Sequence, residues 1–349
     1  MYRAATAMLS AVAAIGLSAA GTPVAAQTIT GAGSTLASPI YAKWGEAAKA
    51  ATGVTLNYQA IGSGAGLNQI TNRTVDFGAS DAPVPPAKLQ AASLMQFPTV
   101  MGAVVVMANV PGMHPGELKL TGQIVAEAYL GTVRKWNDPQ IAKLNPGVKL
   151  PSTAIAPIYR ADASGTTYVF TTYLSAVSPD WKSKVGASTS VRWPAGNGAK
   201  GSDGVSAMVK QVRGTLSYVE YSYAAQNHLN YTQLQNRDGA FLEPTMENFE
   251  AAAAAADWAH ADDFAISLVD MPGAKSWPIV TPTFVLLPTD PKDPAKAAAV
   301  IKMFDWAYTN GASTAQALDF IPLPQPVVAQ VRKAWAADVK GPGGAAVYK

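Results

Sequence analysis

Residues 54–83 read VTLNYQAIGSGAGLNQITNRTVDFGASDAP, and their punctuation decides the fold class. Val54 to Ala60 carries β-branched, aromatic and aliphatic residues and predicts a strand. The small-residue run Gly62-Ser63-Gly64-Ala65-Gly66 predicts a turn, the stretch from about Gly64 to Thr71 a helix, and Val75 to Ser80 a second strand. The preceding segment, TITGAGSTLASPIYAKWGEAAKAATG (28–53), has the same plan. A short strand and a glycine turn lead into a helix from about Ala37 to Ala51, stopped near Gly53, with Ile40, Trp44, Ala47 and Ala51 at the spacing of one buried face. Strand and helix in alternation predict a mostly parallel α/β sheet.

Working outward, Phe97 to Val110 is an apolar, β-branched stretch long enough to leave one domain and enter another, and Trp277 to Pro288 (WPIVTPTFVLLP) has the character of a strand that returns. Two such crossings would make residues 105–277 an inserted domain, and the first domain would combine 27–104 with 278–349. Two sequential domains are the alternative that pattern alone leaves open. The middle part holds a helix after Ser164 with Val169, Thr172, Tyr173 and Ala176 on one face. It also holds a glycine-rich loop (193–212) that runs into another helix, a strand-like GTLSYVEYSYA (214–224), and a helical EAAAAAADWAHAD (250–262). The tail, 294–320 and 323–339, predicts two more amphipathic helices.

The chain of 349 residues has 26 basic and 23 acidic side chains, a net charge of +3, which gives no field suited to nucleic acid or an anionic membrane. Residues 1–26 read as a secretory signal: Arg3, an apolar stretch from Ala4 to Ala20, and a small-residue end, Val24-Ala25-Ala26, with cleavage expected before Gln27. An anchor helix is the competing reading, and the Gly and Pro that interrupt the run disfavour it. The sequence has no cysteine, so an exported chain of this kind has no disulfide and no lipid-modified cysteine and relies on its core. A soluble periplasmic protein of a Gram-negative bacterium fits best.

Three places share one form: Gly33-Ser34-Thr35, Ser63-Gly64-Ala65-Gly66 and Ser164-Gly165-Thr166. Each is expected after a strand and at the start of a helix, where backbone N–H groups lack partners and small residues admit a ligand closely. Helix starts bind anions in this way, although any one of them alone is equally a plain cap or βα turn. Arg160 lies just ahead of the third, where the helix dipole is already positive, which argues for a negative guest. Its planar fork suits an oxyanion, and Asp162 could hold that fork in place. A solvated strand end and a cap are the local alternatives for this pair.

Asp81, after VDFGAS, sits where ligands of α/β sheets bind, although it could equally be a turn residue before Pro83. A carboxylate facing an anion is repulsive unless the anion carries a proton to donate. Phosphate does and sulfate does not, and a site dependent on such a bond rejects the analogue lacking it by about 10⁴ to 10⁵. Other chemistries lack their residues: GAGSTL misses the third glycine and the acidic ribose ligand of a dinucleotide fingerprint, His114, His228 and His260 are scattered, and no G-x-S-x-G elbow occurs. No cofactor, metal or catalytic residue is expected.

The motifs TGAGSTLASPIYAKW, NYQAIGSGAG, VDFGASDAP, FPTVMGAVVV, YRADASGTTYVFT and GTLSYVEY, in this order over nearly all of residues 27–349, resemble the periplasmic phosphate-binding proteins of phosphate ABC transporters. The resemblance implies a type II two-lobed binding-protein fold. Each lobe would be a mixed, mostly parallel sheet flanked by helices, the lobes joined by a hinge of two crossing strands, in keeping with the inserted-domain reading. It implies phosphate contacts from Thr35, the Leu36 backbone, Ser63, Asp81, Arg160, Ser164, Gly165 and Thr166, with Asp162 paired to Arg160. It also implies a monomer that binds phosphate without catalysis and delivers it to the permease subunits of an inner-membrane transporter driven by a cytoplasmic ATPase. Leu36 stands where a phenylalanine is usual, and Ala163 where a glycine is. Another oxyanion, sulfate or molybdate, is the runner-up ligand; a secreted phosphatase is the reading from a different class, and it lacks a visible nucleophile and base.

Overall fold

The computed structural model describes residues 27–348; the expected signal segment, 1–26, lies outside the described residues. The chain opens as β1 (Gln27–Gly33), α1 (Ser38–Thr52), β2 (Val54–Gln59), α2 (Ser63–Thr71), β3 (Phe77–Ser80), α3 (Pro86–Ala91) and β4 (Leu94–Ala108). It continues through β5 (Lys119–Leu120), α4 (Gly122–Leu130), α5 (Pro139–Leu144), β6 (Ala156–Arg160), α6 (Gly165–Val177), α7 (Pro179–Lys184), β7 (Asn197–Ala199), α8 (Gly201–Gln211), β8 (Thr215–Glu220) and α9 (Tyr221–Gln226). It ends with β9 (Gln233–Gln235), β10 (Phe241–Leu242), α10 (Met246–Ala254), β11 (Leu268–Val269), β12 (Ile279–Pro288), α11 (Pro294–Asn310), α12 (Ala312–Ala317) and α13 (Gln325–Asp338).

The main sheet runs β2-β1-β3-β12-β4-β8-β6-β7. At one end β2, β1 and β3 are parallel; at the other β8, β6 and β7 are parallel, and the antiparallel strands β12 and β4 lie between the two groups. β4 serves both: Leu94 to Ala103 pairs with β12 and Val104 to Ala108 pairs with β8. Every residue of β4 and of β12 is buried, which is why both read as unbroken apolar runs rather than alternating ones. A bend in register falls between Thr283 and Phe284 of β12. The result is a two-lobed α/β fold in which β4 joins the two groups, through β12 on one side and β8 on the other.

Each group of strands has its own aromatic core. Phe304 of α11 meets Tyr41, Phe77 and Phe97 edge to face at 5.4 to 5.9 Å. On the other side Phe170 of α6 stacks on Tyr218 at 4.1 Å and meets Tyr129 edge-on.

Several predicted boundaries move. The buried stripe of α1 is Ile40, Trp44, Ala48 and Thr52, so the expected Ala47 and Ala51 face water. With alanine at both 47 and 48, the periodicity had nothing to choose between there. The 214–224 segment is strand only to Glu220, where the Glu220 carboxylate caps Ser222 and starts α9. The alanine-rich helix ends at Ala254, and the tail forms three helices, because Gly311 divides the first.

Candidate functional site: a buried cradle at converging strand ends

The carboxyl ends of β1, β2 and β3 converge on those of β6 and β7, so the turns that follow these strands meet. In parallel α/β sheets this edge is where ligands bind. Gly165 shows how close the approach is: a Cβ there would lie 2.6 Å from Cβ of Asp81 and 2.7 Å from Oγ of Ser63, so only glycine lets the start of α6 touch both. Gly64 meets the other turn, its N–H donating to the Ala163 carbonyl at 3.0 Å. The Ala163 methyl fills the space a side chain at residue 64 would need, which accounts for glycine at residue 64.

Arg160, at the end of β6, is 5 % exposed. Its Nε donates to Asp162 Oδ1 at 2.8 Å, its Nη2 to Oδ2 at 2.5 Å, and its Nη1 to Thr35 Oγ1 at 3.0 Å. A guanidinium has five N–H donors, so two remain for a guest. Asp162 also accepts from the Gly201 N–H at 3.0 Å. Burial would raise its carboxyl; the Arg160 hydrogen bonds and charge, with the Gly201 N–H, more than offset this and hold it below the usual carboxylate range. The pair is thus ionised and locally neutral.

Asp81, following β3, is 1 % exposed. Its Oδ1 accepts from Ser34 Oγ at 2.5 Å and Thr283 Oγ1 at 2.7 Å, while Ser63 Oγ reaches Oδ2 at 3.5 Å. Burial pushes its carboxyl up, against the pull of Ser34, Thr283, the Arg160 charge and Ser63. With Arg160 offset by Asp162, and Asp81 unable to add positive charge, the cradle offers an anion no net positive charge. Attraction must therefore come from dipoles, and they are present. Ser164 caps α6 by accepting from Thr167 N–H at 3.2 Å, which leaves the N–H groups of Gly165 and Thr166 without an intrahelical partner. The Thr166 hydroxyl is fully buried and unpartnered. Such a group costs about 1 to 3 kcal/mol unless something fills the space beside it.

The structure brings Thr35, Ser63, Asp81, Arg160, Ser164, Gly165 and Thr166 into one cluster. Leu36 differs: its side chain is apolar and wholly buried against Gly102 of β4, so any polar contact from it must come from the main chain. Three contributors, Thr283, Ser202 and Tyr223, were missed from sequence, and Ser34, singled out only as part of the Gly33-Ser34-Thr35 turn, was not expected to reach Asp81. Ser34 and Thr283 hold Asp81; Ser202 Oγ lies 2.8 Å from Thr35 Oγ1; and Tyr223 donates to the Thr35 carbonyl at 2.6 Å. Ser202 had a signal, since the 193–212 glycine loop also opens a helix. Thr283 had none, because threonine in a strand is read as a β-former.

Known proteins place this architecture. A model described as a PBP superfamily domain matches residues 18–310. The phosphate-binding protein PstS of Pasteurella multocida is 45 % identical over 324 residues, 93 % of this chain and 94 % of that protein. The PstS of Haemophilus influenzae is 45 % identical over 90 % of this chain and 94 % of its own. Among solved structures, a high-affinity periplasmic phosphate-binding protein with bound phosphate superposes with a TM-score of 0.72 at 20 % identity, covering 92 % of this chain and 98 % of that one. A phosphate-binding protein from Stenotrophomonas maltophilia gives 0.66 at 18 %, over 92 % and 96 %. Those structural likenesses show the two-lobed fold, and the sequence identities show more: this chain belongs to the PBP superfamily and, within it, to the family of phosphate-binding proteins named PstS.

Proposed function

We propose that this protein binds inorganic phosphate in the periplasm and delivers it to the permease of an ABC transporter, acting as a carrier rather than an enzyme. The observation that carries the reading is the cradle. Buried Arg160, the hydroxyls of Thr35, Ser63 and Thr166, and the start of α6 surround one carboxylate, Asp81. This pairing of many donors with a single acceptor matches an oxyanion that still bears a proton. Burying an anion costs several kcal/mol, and each hydrogen bond to it contributes about 1.5 to 3, so several convergent donors suffice where one helix start would not.

In this reading 27–104 with 278–349 form one lobe, 105–277 the other, and β4 and β12 cross between them as a hinge. Thr35, Leu36, Ser63 and Asp81 belong to the first lobe and Arg160, Ser164, Gly165 and Thr166 to the second. Phosphate gains the full donor set only when the lobes meet, so binding shifts the hinge toward closure and gives the permease a loaded form to distinguish. The test is to denature the purified protein and assay the released anion. One phosphate per chain is the expected result. A different anion recovered at that stoichiometry would overturn the ligand assignment.

A further inference from the structure

We propose that Ser34 and Thr283 are positioning residues for specificity: together they hold Asp81 as a one-sided, ionised acceptor, so that only an oxyanion carrying a proton completes the site. The inference deepens the phosphate reading and rests on it.

The two oxygens of Asp81 are treated differently. Oδ1 takes two hydroxyl donors at short range, Ser34 Oγ at 2.5 Å from the turn after β1 and Thr283 Oγ1 at 2.7 Å from β12. Oδ2 has Ser63 Oγ at 3.5 Å, a distance at the weak limit of a hydrogen bond, and is the oxygen with capacity to spare. Ser34 Oγ accepts from the Ala37 N–H at 3.2 Å, which uses a lone pair and leaves its proton to donate to Asp81. Thr283 is fixed from behind, fully buried, with its carbonyl accepting from Thr99 Oγ1 at 3.0 Å. The Asp81 main chain is held as well, its carbonyl accepting from Thr281 Oγ1 at 3.1 Å.

A carboxylic acid could not keep both donors on Oδ1, because a proton there would force Ser34 or Thr283 to turn and accept instead. A proton on Oδ2 would donate to the guest and satisfy sulfate as readily as phosphate. The two hydroxyls therefore guard selectivity by favouring the ionised form. Other groups facing Asp81 are Arg160 from β6, whose charge acts in the same direction, and Tyr41 of α1, Tyr58 of β2 and Tyr223 of α9. Burial pushes all three phenols up, so they stay neutral and leave the balance between desolvation and donors to decide.

The experiment is titration calorimetry of phosphate and of sulfate on the full chain from about pH 5 to about pH 8. The proteins compared are the unsubstituted one, Ser34→Ala, Thr283→Val and Thr283→Ser. At about pH 5 the ratio of phosphate to sulfate affinity should fall about tenfold or more for each hydroxyl removed, and by less at about pH 8, because raising the pH favours the ionised carboxyl that the lost hydroxyl no longer supports. Thr283→Ser, which restores the hydroxyl, should return the profile toward that of the unsubstituted protein. Ser34→Ala provides an independent arm should Thr283→Val fail to fold. Ratios that stay independent of pH in both hydroxyl-deleted proteins would overturn this inference alone, even if phosphate affinity falls. Absence of phosphate binding by the unsubstituted protein would overturn the functional reading and this inference with it.

Discussion

Replacing Arg160 with alanine removes a buried cation from the cradle and takes its partner from Asp162. The side chain makes three hydrogen bonds within the protein, two to Asp162 and one to Thr35, and retains two donors for the guest. At about 1.5 to 3 kcal/mol for each bond to a charged partner, losing those two donors weakens anion binding by roughly 3 to 6 kcal/mol, a factor of about 10² to 10⁴. The free protein is affected separately, because Asp162, with a side chain 14 % exposed, keeps the Gly201 N–H but loses its counter-charge. Asp162→Ala and the double variant close a cycle. Removing Asp162 from the Arg160→Ala protein should recover stability, since it deletes an unpaired carboxylate, while leaving binding weak. Calorimetry with phosphate reads the binding column, and urea unfolding without ligand reads the stability column. Near-wild-type affinity in Arg160→Ala would mean that the guanidinium serves the fold alone, and the argument for its two free donors would fail.

Asp81→Asn should narrow the preference for phosphate over sulfate, because an amide can donate where the carboxylate can only accept; unchanged discrimination in competition titrations would remove that role. Gly165→Ala should lower phosphate affinity while leaving the unliganded protein folded if the lobes part without ligand, because its methyl would collide with Asp81 at 2.6 Å in the form described here; unchanged affinity would contradict the tight approach of α6. Glu220 is fully buried, and burial, against hydrogen bonds from Ser222, pushes its carboxyl from 4.5 up to about 8. A raised acid binds its proton more tightly in the folded state, so its contribution is complete below about pH 4.5 and is lost as pH rises toward about 8. Unfolding measured across that window should show Glu220→Gln with a flatter pH dependence than the unsubstituted protein; parallel profiles would refute it.

The parallel core of this fold was legible because glycine punctuates it. The turns at Gly33, Gly62 and Gly201 separate strands from helices whose residue types differ sharply, and unbroken apolar runs marked β4 and β12 as buried on both sides. What stayed hidden was of two kinds. Alanine-rich helices gave periodicity little contrast, so the α1 stripe shifted by one residue and α10 stopped early. Long-range hydroxyl contacts have no local signature: Thr283 reaches Asp81 across 202 positions and Tyr223 reaches Thr35 across 188. Arg160 could be singled out because a cation ahead of a helix start calls for a negative guest, and Asp81 because it follows a strand at the edge where α/β sheets bind ligands, whereas Ser34 and Thr283 fit their local settings without a partner.

Calorimetric titration of the unsubstituted protein with phosphate and with sulfate, in one buffer at neutral pH, bears most directly on the chemistry attributed to Asp81. Phosphate should bind at micromolar concentration or below, and sulfate about 10⁴-fold more weakly or not at all. Comparable affinities for the two anions would show that the buried carboxylate does not test its guest for a proton.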